Sequence, residues 1–164
     1  MSLENPLWQF ALTLYSWPGV EQCCLQLQDQ GAVINRLLFA CWLARQGISL
    51  TPSRLLQLDD QWHDEVTQPL RSVRHRVRQW RGQCSDTEHC YRALRQAELA
   101  CEQVELMLLW QQGAHWSPDT TASVELLRHN LTQVLTGRDG ADTDDRLEWL
   151  RVLESAAMTL PDGD

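Results

Sequence analysis

Apolar residues recur along most of the chain at the three- and four-residue spacing of a helix, and the strict alternation of a half-buried strand is almost absent. The first helix is predicted over Pro6–Tyr15, with Asn5 as its N-cap and Pro6 in the first turn, where no backbone N–H is needed. Its apolar positions follow the helical spacing: Leu7, Phe10, Ala11 and Leu14. This pattern indicates an all-α fold.

The third predicted helix is the most apolar part of the chain. A second helix runs from the corner at Pro18 to about Gln30, and Gly31 supplies the left-handed turn that ends it. The third then covers about 32–46 and has apolar residues on every side. Only eight residues, Leu37–Ala44, lack polar side chains, whereas a membrane-spanning helix needs roughly 20. We therefore expect this helix to be the buried centre of a soluble fold.

Proline, glycine and cap residues predict the remaining helices, at about 51–82, 85–112, 117–137 and 144–158. Pro69 lies inside the first of these, so that helix should kink or break near Thr67 or Gln68. Ser85 and Glu88 have the spacing of a capping box. The sequence thus predicts one all-α domain over 1–164, a bundle of six or seven helices around a buried central helix (about 32–46).

Charge is distributed unevenly along the chain, whose net charge is −8. Residues 1–83 carry eight arginines and seven acidic residues, whereas residues 84–164 carry six arginines and fifteen acidic residues. An acidic second half argues against wrapping around nucleic acid or lying on an anionic membrane. Because no basic segment precedes the first helix, we expect a cytoplasmic protein with reduced cysteines.

One basic run, LRSVRHRVRQWR, is the candidate partner-binding surface. Four arginines share one side of its helix: Arg71, Arg74, Arg78 and Arg81. Three interpretations remain open. The arginines pair with acidic residues of the next helix (Glu98, Glu102 and Glu105), they bind an acidic protein or nucleic acid, or they bind a small anionic ligand.

Polar residues in otherwise apolar surroundings mark a candidate pocket: Asn35, Arg36, Asp60 and His63. Asn35 and Arg36 lie in the central helix, where an unpaired buried polar group would cost about 1–3 kcal/mol. Asp60 lies three residues before His63, so a carboxylate and an imidazole share a helical face. Metal sites in helical bundles need matching acid–histidine pairs on facing helices, and this chain supplies none. We expect no metal ion and no cofactor.

Catalytic motifs are missing from the sequence. It contains no phosphate-binding G-x-x-x-x-G-K, no G-x-G-x-x-G and no G-x-S-x-G. Its six cysteines form no C-x-x-C pair, so Cys84, His89, Cys90 and Cys101 are poor zinc ligands. The sequence therefore favours a protein without enzymatic activity.

Three stretches resemble a family of short, uncharacterised proteobacterial proteins known only as a domain of unknown function. They are the first helix with Trp8, the segment LYSWPGVEQCCLQLQDQGAVINRLLFACWLARQG, and W-x₆-PLRSVR. The resemblance implies a bacterial protein of this length, and it places Asn35, Trp42, Pro69 and Arg71 in the family's pattern. It implies no catalytic residues.

These observations favour an interaction or adaptor protein that binds an unidentified protein partner. The binding surface would be the Arg71–Arg81 face or the acidic second half, without membrane insertion. A small-molecule-binding protein or enzyme, with a pocket near Asn35 and Asp60–His63, is one alternative. An RNA- or ribosome-associated factor that uses the arginine face is another.

Overall fold

The computed structural model describes residues 2–83, 86–135 and 144–160, and within these residues it is helical without strands. The predicted all-α fold is confirmed. The described residues form eight α-helices, and a π-helical turn, His63–Thr67, precedes the fifth of them. The helices are α1 (Pro6–Tyr15), α2 (Val20–Asp29), α3 (Ile34–Arg45), α4 (Pro52–Leu55), α5 (Gln68–Gln79), α6 (Thr87–Gly113), α7 (Val124–Leu135) and α8 (Asp144–Thr159).

The central position predicted for the third helix is confirmed. Every residue from Leu37 to Ala44 is buried, and α1, α2, α6, α7 and α8 all pack against α3. The Phe39 ring stacks on Trp42 with centroids 6.2 Å apart. Gly113 of α6 lies so close to Phe39 that a Cβ there would stand 2.7 Å from the ring. A glycine at this crossing therefore lets α6 approach the central helix.

The ends of the first helices follow the predicted signals. Asn5 caps α1 because its Oδ1 accepts a hydrogen bond from the backbone N–H of Trp8 at 2.9 Å. Gly31 has φ +89°, which is the left-handed turn expected after α2. Helix α3 ends at Arg45, whose guanidinium donates to the Ala157 carbonyl, 2.8 Å away, in the last turn of α8. The Arg45 contact joins the end of α3 to the end of α8.

The predicted long helix at about 51–82 is wrong in its first third. Helix α4 ends after one turn, and the chain becomes helical again only at Gln61. Leu56 is 89% exposed, but the following bend brings Leu58 into the core. The bend also brings Asp60 to Arg36, which donates to it from Nε at 2.8 Å. Burial of Leu58 and this ion pair therefore outweigh the helical propensity of the segment.

The disturbance predicted near Thr67 and Gln68 is present as the π-helical turn. The N–H of Gln68 donates to the carbonyl of His63, five residues earlier. Pro69 has no N–H, and its ring would crowd the carbonyl four residues before it. The wider turn avoids that clash, as single π-turns in helices do. The Thr67 hydroxyl in this turn is buried and has no hydrogen-bond partner among the described residues.

The predicted start of the sixth helix at Ser117 is also wrong, because α7 begins at Val124. Residues 117–123 instead cross the loop that follows α3. The backbone N–H groups of Asp119 and Thr120 donate to the Gly47 carbonyl at 3.0 and 3.1 Å. The predicted end near Gly137 and the capping residue Ser85 lie outside the described residues. The last helix, predicted to end at about 158, is confirmed and ends at Thr159.

Candidate functional site

The hairpin formed by α5 and the first part of α6 differs from the rest of the fold. Helix α5 packs mainly on α6 and the π-helical turn, whereas α6 also packs on α1 and α3. We call residues 68–97 the arm. Between Leu58 and Leu106, no apolar side chain of the described residues is buried, and the buried ones are polar: His63, Thr67, Glu98 and Glu105. The arm and its base therefore lack an apolar core.

Ion pairs join the two helices at the base of the arm. Arg71 donates from Nε to Oε1 of Glu98 at 2.7 Å and also donates to the carboxylate of Glu102. Arg74 binds Glu98 as well. The Arg71, Arg74 and Glu98 side chains are only 8–14% exposed. Such shielded, hydrogen-bonded pairs are stronger than exposed ion pairs, so they fix α5 against α6.

A second set of contacts closes the far end of the arm. Arg81 donates from Nε to Oε2 of Glu88 at 2.7 Å. Its guanidinium also lies over the ring of Tyr91, 4.5 Å from the centroid, and Arg74 lies on the same ring at 5.9 Å. Arg71, Arg74 and Arg81 therefore contact α6 of their own chain. Arg78 is exposed and makes no ion pair with a described residue.

Two neighbouring carboxyl groups at the base have opposite pKa shifts. Burial would raise the pKa of Glu98, but hydrogen bonds from Arg74 and Arg71 hold it below the ordinary value of 4.5. For Glu102, burial outweighs the attraction of Arg71 and raises the pKa. The arginines thus stabilise the ionised form of Glu98 more than that of Glu102.

We expect Glu98→Gln to lower the free energy of unfolding by about 1–2 kcal/mol near pH 7, because it removes the charge that Arg71 and Arg74 share. A lowered folded-state pKa means that this stabilisation is complete above pH 4.5 and is lost as the pH falls through the folded value. Urea unfolding between pH 3 and 7 should therefore show a weaker pH dependence for the variant. Equal dependence in both proteins would contradict this role for Glu98.

The candidate pocket residues have separate partners. Arg36 pairs with Asp60, whereas His63 lies 3.2 Å from Oε1 of the buried Glu105. Asp60 and His63, predicted to share one helical face, thus contact different helices. Asn35 is buried, and its Nδ2 donates to the Glu102 carbonyl at 3.5 Å.

Two grooves flank the π-helical turn. The base groove, of about 540 Å³, lies between this turn and α6, and its lining includes Asp59, Trp62, Glu65, Val66, Leu108 and His115. The other groove, of about 870 Å³, lies between α5 and the α2–α3 turn, and its lining includes Asp29, Val33, His63, Arg71, His75 and Arg76. Of the four candidate pocket residues, His63 lines the larger groove, and the other three line neither.

Three exposed arginines of the arm were missed from the sequence, namely Arg76, Arg92 and Arg95. None makes an ion pair with a described residue. The sequence does show Arg92 and Arg95 three residues apart, which places them on one face of α6. The sequence does not show that this face and Arg78 belong to the same hairpin. The packing of α5 on α6 shows it.

Within the described ranges, no helix is long and apolar enough to cross a membrane. The same residues contain no group of three or more His, Cys, Asp or Glu arranged to hold a metal ion.

Comparison with known proteins places the chain in one family. No curated protein and no solved structure matches it. The model of a family described as "Protein of unknown function (DUF2390)" matches residues 6–109, from α1 to near the end of α6. The match contains the central helix, the π-helical turn and the whole arm. The chain therefore belongs to the DUF2390 family of proteins of unknown function.

Proposed function

We propose that this protein is a non-enzymatic interaction module that binds an acidic protein partner through the arm. The observation that carries the proposal is the charge of the arm. Residues 68–97 contain seven arginines and two acidic residues, whereas the whole chain has a net charge of −8. A basic projection on an otherwise acidic protein steers acidic partners to one place.

The contact surface consists of arginines that make no ion pair with a described residue. Arg78 on α5 and Arg92 and Arg95 on α6 belong to the same hairpin, and all three are exposed. Arg71, Arg74 and Arg81 hold the two helices together, so they support this surface from within the arm. Guanidinium groups bind carboxylates through two parallel hydrogen bonds, which suits an acidic protein surface.

The pKa values of three cysteines, Cys24, Cys41 and Cys101, support a role without thiol catalysis at these positions. Burial raises the pKa of the Cys24 thiol to about 12 and also raises the pKa values of Cys41 and Cys101. A thiol with a raised pKa is protonated near neutral pH and is a weak nucleophile.

The test compares a double charge reversal on the arm with a single charge reversal on α8. We expect the double variant Arg78→Glu/Arg92→Glu to bind the acidic partner captured from a native lysate at least about tenfold more weakly than the unaltered protein does. Arg151→Glu, on the exposed face of α8, is the control and should retain binding. The interaction is then measured with both purified proteins at several salt concentrations, because contacts between exposed charges weaken as salt rises.

Three results would count against the proposal. One is equal affinity of the double variant and the unaltered protein. Another is an equal loss in Arg151→Glu, which would indicate an effect of net charge. The third is capture that disappears after nuclease treatment, which would favour the RNA-associated alternative.

A small-molecule-binding protein is the second candidate, supported by the groove of about 870 Å³ beside His63 and Arg71. This volume lies in the range of ligand sites. A thermal-shift screen with anionic metabolites tests it. A stabilising compound should lose its effect in Arg76→Glu, which changes an exposed side chain of the groove lining, and a screen without any such compound would count against this candidate.

A further inference from the structure

Helix α5 and helix α6, from the arm into its base, carry apolar residues at the spacing of a coiled coil. On α5 and its C-cap they are Leu70, Val73, Val77 and Trp80, and on α6 they are Cys90, Leu94, Ala97, Cys101, Val104 and Leu108. Intervals of three and four residues keep such a stripe on one side of each helix. We call the two rows together the arm stripe.

The described residues cover the arm stripe only in part. None of its ten residues is buried, Trp80 is 60% exposed, and Leu108 is 37% exposed. None of them joins the apolar core around α3. Two antiparallel helices with such stripes form half of a four-helix bundle.

The geometry points to a second copy of this chain as the molecule that covers the stripe. We propose that two arms pack face to face in antiparallel orientation, related by a two-fold axis near Val73, and form a four-helix bundle. On α6 the stripe spans Cys90 to Leu108, which is about 27 Å of helix at 1.5 Å per residue. A stripe of this length on each copy is compatible with the area of a stable dimer, about 800 Å² per partner.

Sequence spacing supports the position of the axis. Val66 in the base groove comes seven residues before Val73, and Trp80 comes seven residues after it. An antiparallel pair centred on Val73 therefore brings Trp80 of one copy level with Val66 of the other. The base groove has a volume of about 540 Å³, and its lining includes Trp62 and Leu108. It receives the Trp80 indole of the other copy.

Complementary charges determine the relative orientation of the two arms. The end of the arm is basic, and Arg76 lies one turn before Trp80. The base groove is acidic, because Asp59 and Glu65 are exposed and neither pairs with an arginine of the described chain. Antiparallel pairing places each basic end on an acidic groove, whereas parallel pairing would bring two basic ends together.

The dimer and the proposed acidic partner use different sides of the arm. At 100° per residue, Arg78 lies about 100° from Val77, and Arg95 lies about 100° from Leu94. These arginines therefore project away from the stripe. The inference does not rest on the proposed function, and a dimer without an acidic partner, or the reverse, would separate the two.

Sedimentation velocity of the full chain between about 1 and 100 µM tests the inference, and we expect a dimer in this range. Val77→Glu/Leu94→Glu should raise the dissociation constant at least about 100-fold, because each new carboxylate would lie in the apolar interface once from each copy. Leu56→Glu changes a leucine that is 89% exposed outside the arm, and it should leave the dimer intact. A monomeric unaltered protein throughout this range would overturn the inference. So would a double variant that is folded by far-UV circular dichroism and as dimeric as the unaltered protein.

Two variants with exchanged charges provide a second test of the dimer in case Val77→Glu/Leu94→Glu unfolds. Asp59→Arg/Glu65→Arg makes the groove basic, and Arg76→Glu/Gln79→Glu makes the arm end acidic. All four side chains are exposed, so both variants should fold. We expect each variant alone to associate roughly tenfold more weakly than the unaltered protein, and a mixture of the two to form a heterodimer. A mixture that associates no better than either variant alone would overturn the inference.

Discussion

Replacing Gly47 by alanine is expected to lower the free energy of unfolding by about 2–4 kcal/mol, for two physical reasons that add. The residue follows the central helix with φ +66°, in the left-handed region that alanine occupies only at a cost. A Cβ there would also collide with the backbone carbonyl oxygen of Thr120. Because this neighbour is backbone held by its own hydrogen bond to Gly47, it cannot rotate away as a side chain would.

Gly31→Ala is the matched control for this prediction. Gly31 has φ +89°, and no atom of the described residues lies within 4 Å of the position that a Cβ would take. It therefore measures the backbone cost alone, about 1 kcal/mol. Urea denaturation of both variants gives the difference, which is the cost of the collision. Equal destabilisation by Gly47→Ala and Gly31→Ala would show that residues 117–123 move to accommodate the added methyl group.

The central helix could be predicted from the sequence because its signal is local. Eight consecutive residues without polar side chains require burial on all sides, and no knowledge of other helices is needed. The same is true of the α1 cap at Asn5 and of the disturbance before Pro69. In each case the determining atoms lie within one or two helical turns.

The bend between α4 and the π-helical turn could not be predicted, because its causes lie elsewhere in the chain. Residues 56–60 carry no glycine or proline, and helical spacing continues through them. The helix ends because Leu58 gains burial in the core and Asp60 reaches Arg36, which is 24 residues earlier. Tertiary contacts of this kind routinely override local propensity.

The candidate surfaces were predictable only in part for the same reason. Pairing of Arg71 with Glu98 and Glu102 was one of three interpretations of the arginine run, and the structure contains these pairs. Glu105, grouped with them in the sequence, pairs with His63 instead. Tertiary packing decides whether other helices cover the stripe that contains Val73 and Val77. The local sequence does not indicate that packing.

The arm and the helices around α3 are stabilised by different kinds of interaction. Around α3 the buried side chains are almost all apolar, whereas at the base of the arm they are carboxylates, an imidazole and a threonine hydroxyl. Relative to apolar packing, a buried ion pair adds little net stability, because desolvation offsets most of the attraction. Removing one partner is nevertheless costly, so such pairs fix the geometry. A hairpin held in this way keeps its shape while the described residues leave its apolar stripe partly exposed. This combination suits a docking element, as the proposed dimer requires.

Replacing Asn130 by leucine is expected to cost about 2–5 kcal/mol, because it leaves two buried backbone groups without hydrogen bonds. Asn130 of α7 is fully buried, and its Oδ1 accepts from the N–H of Leu50 at 2.7 Å. Its Nδ2 donates to the carbonyl of Ile48 at 2.9 Å, so one side chain satisfies the loop after α3. His129→Leu, an exposed neighbour, should change stability by less than about 0.5 kcal/mol in urea denaturation. Equal effects in the two variants would mean that the loop finds other hydrogen-bond partners when Asn130 is removed.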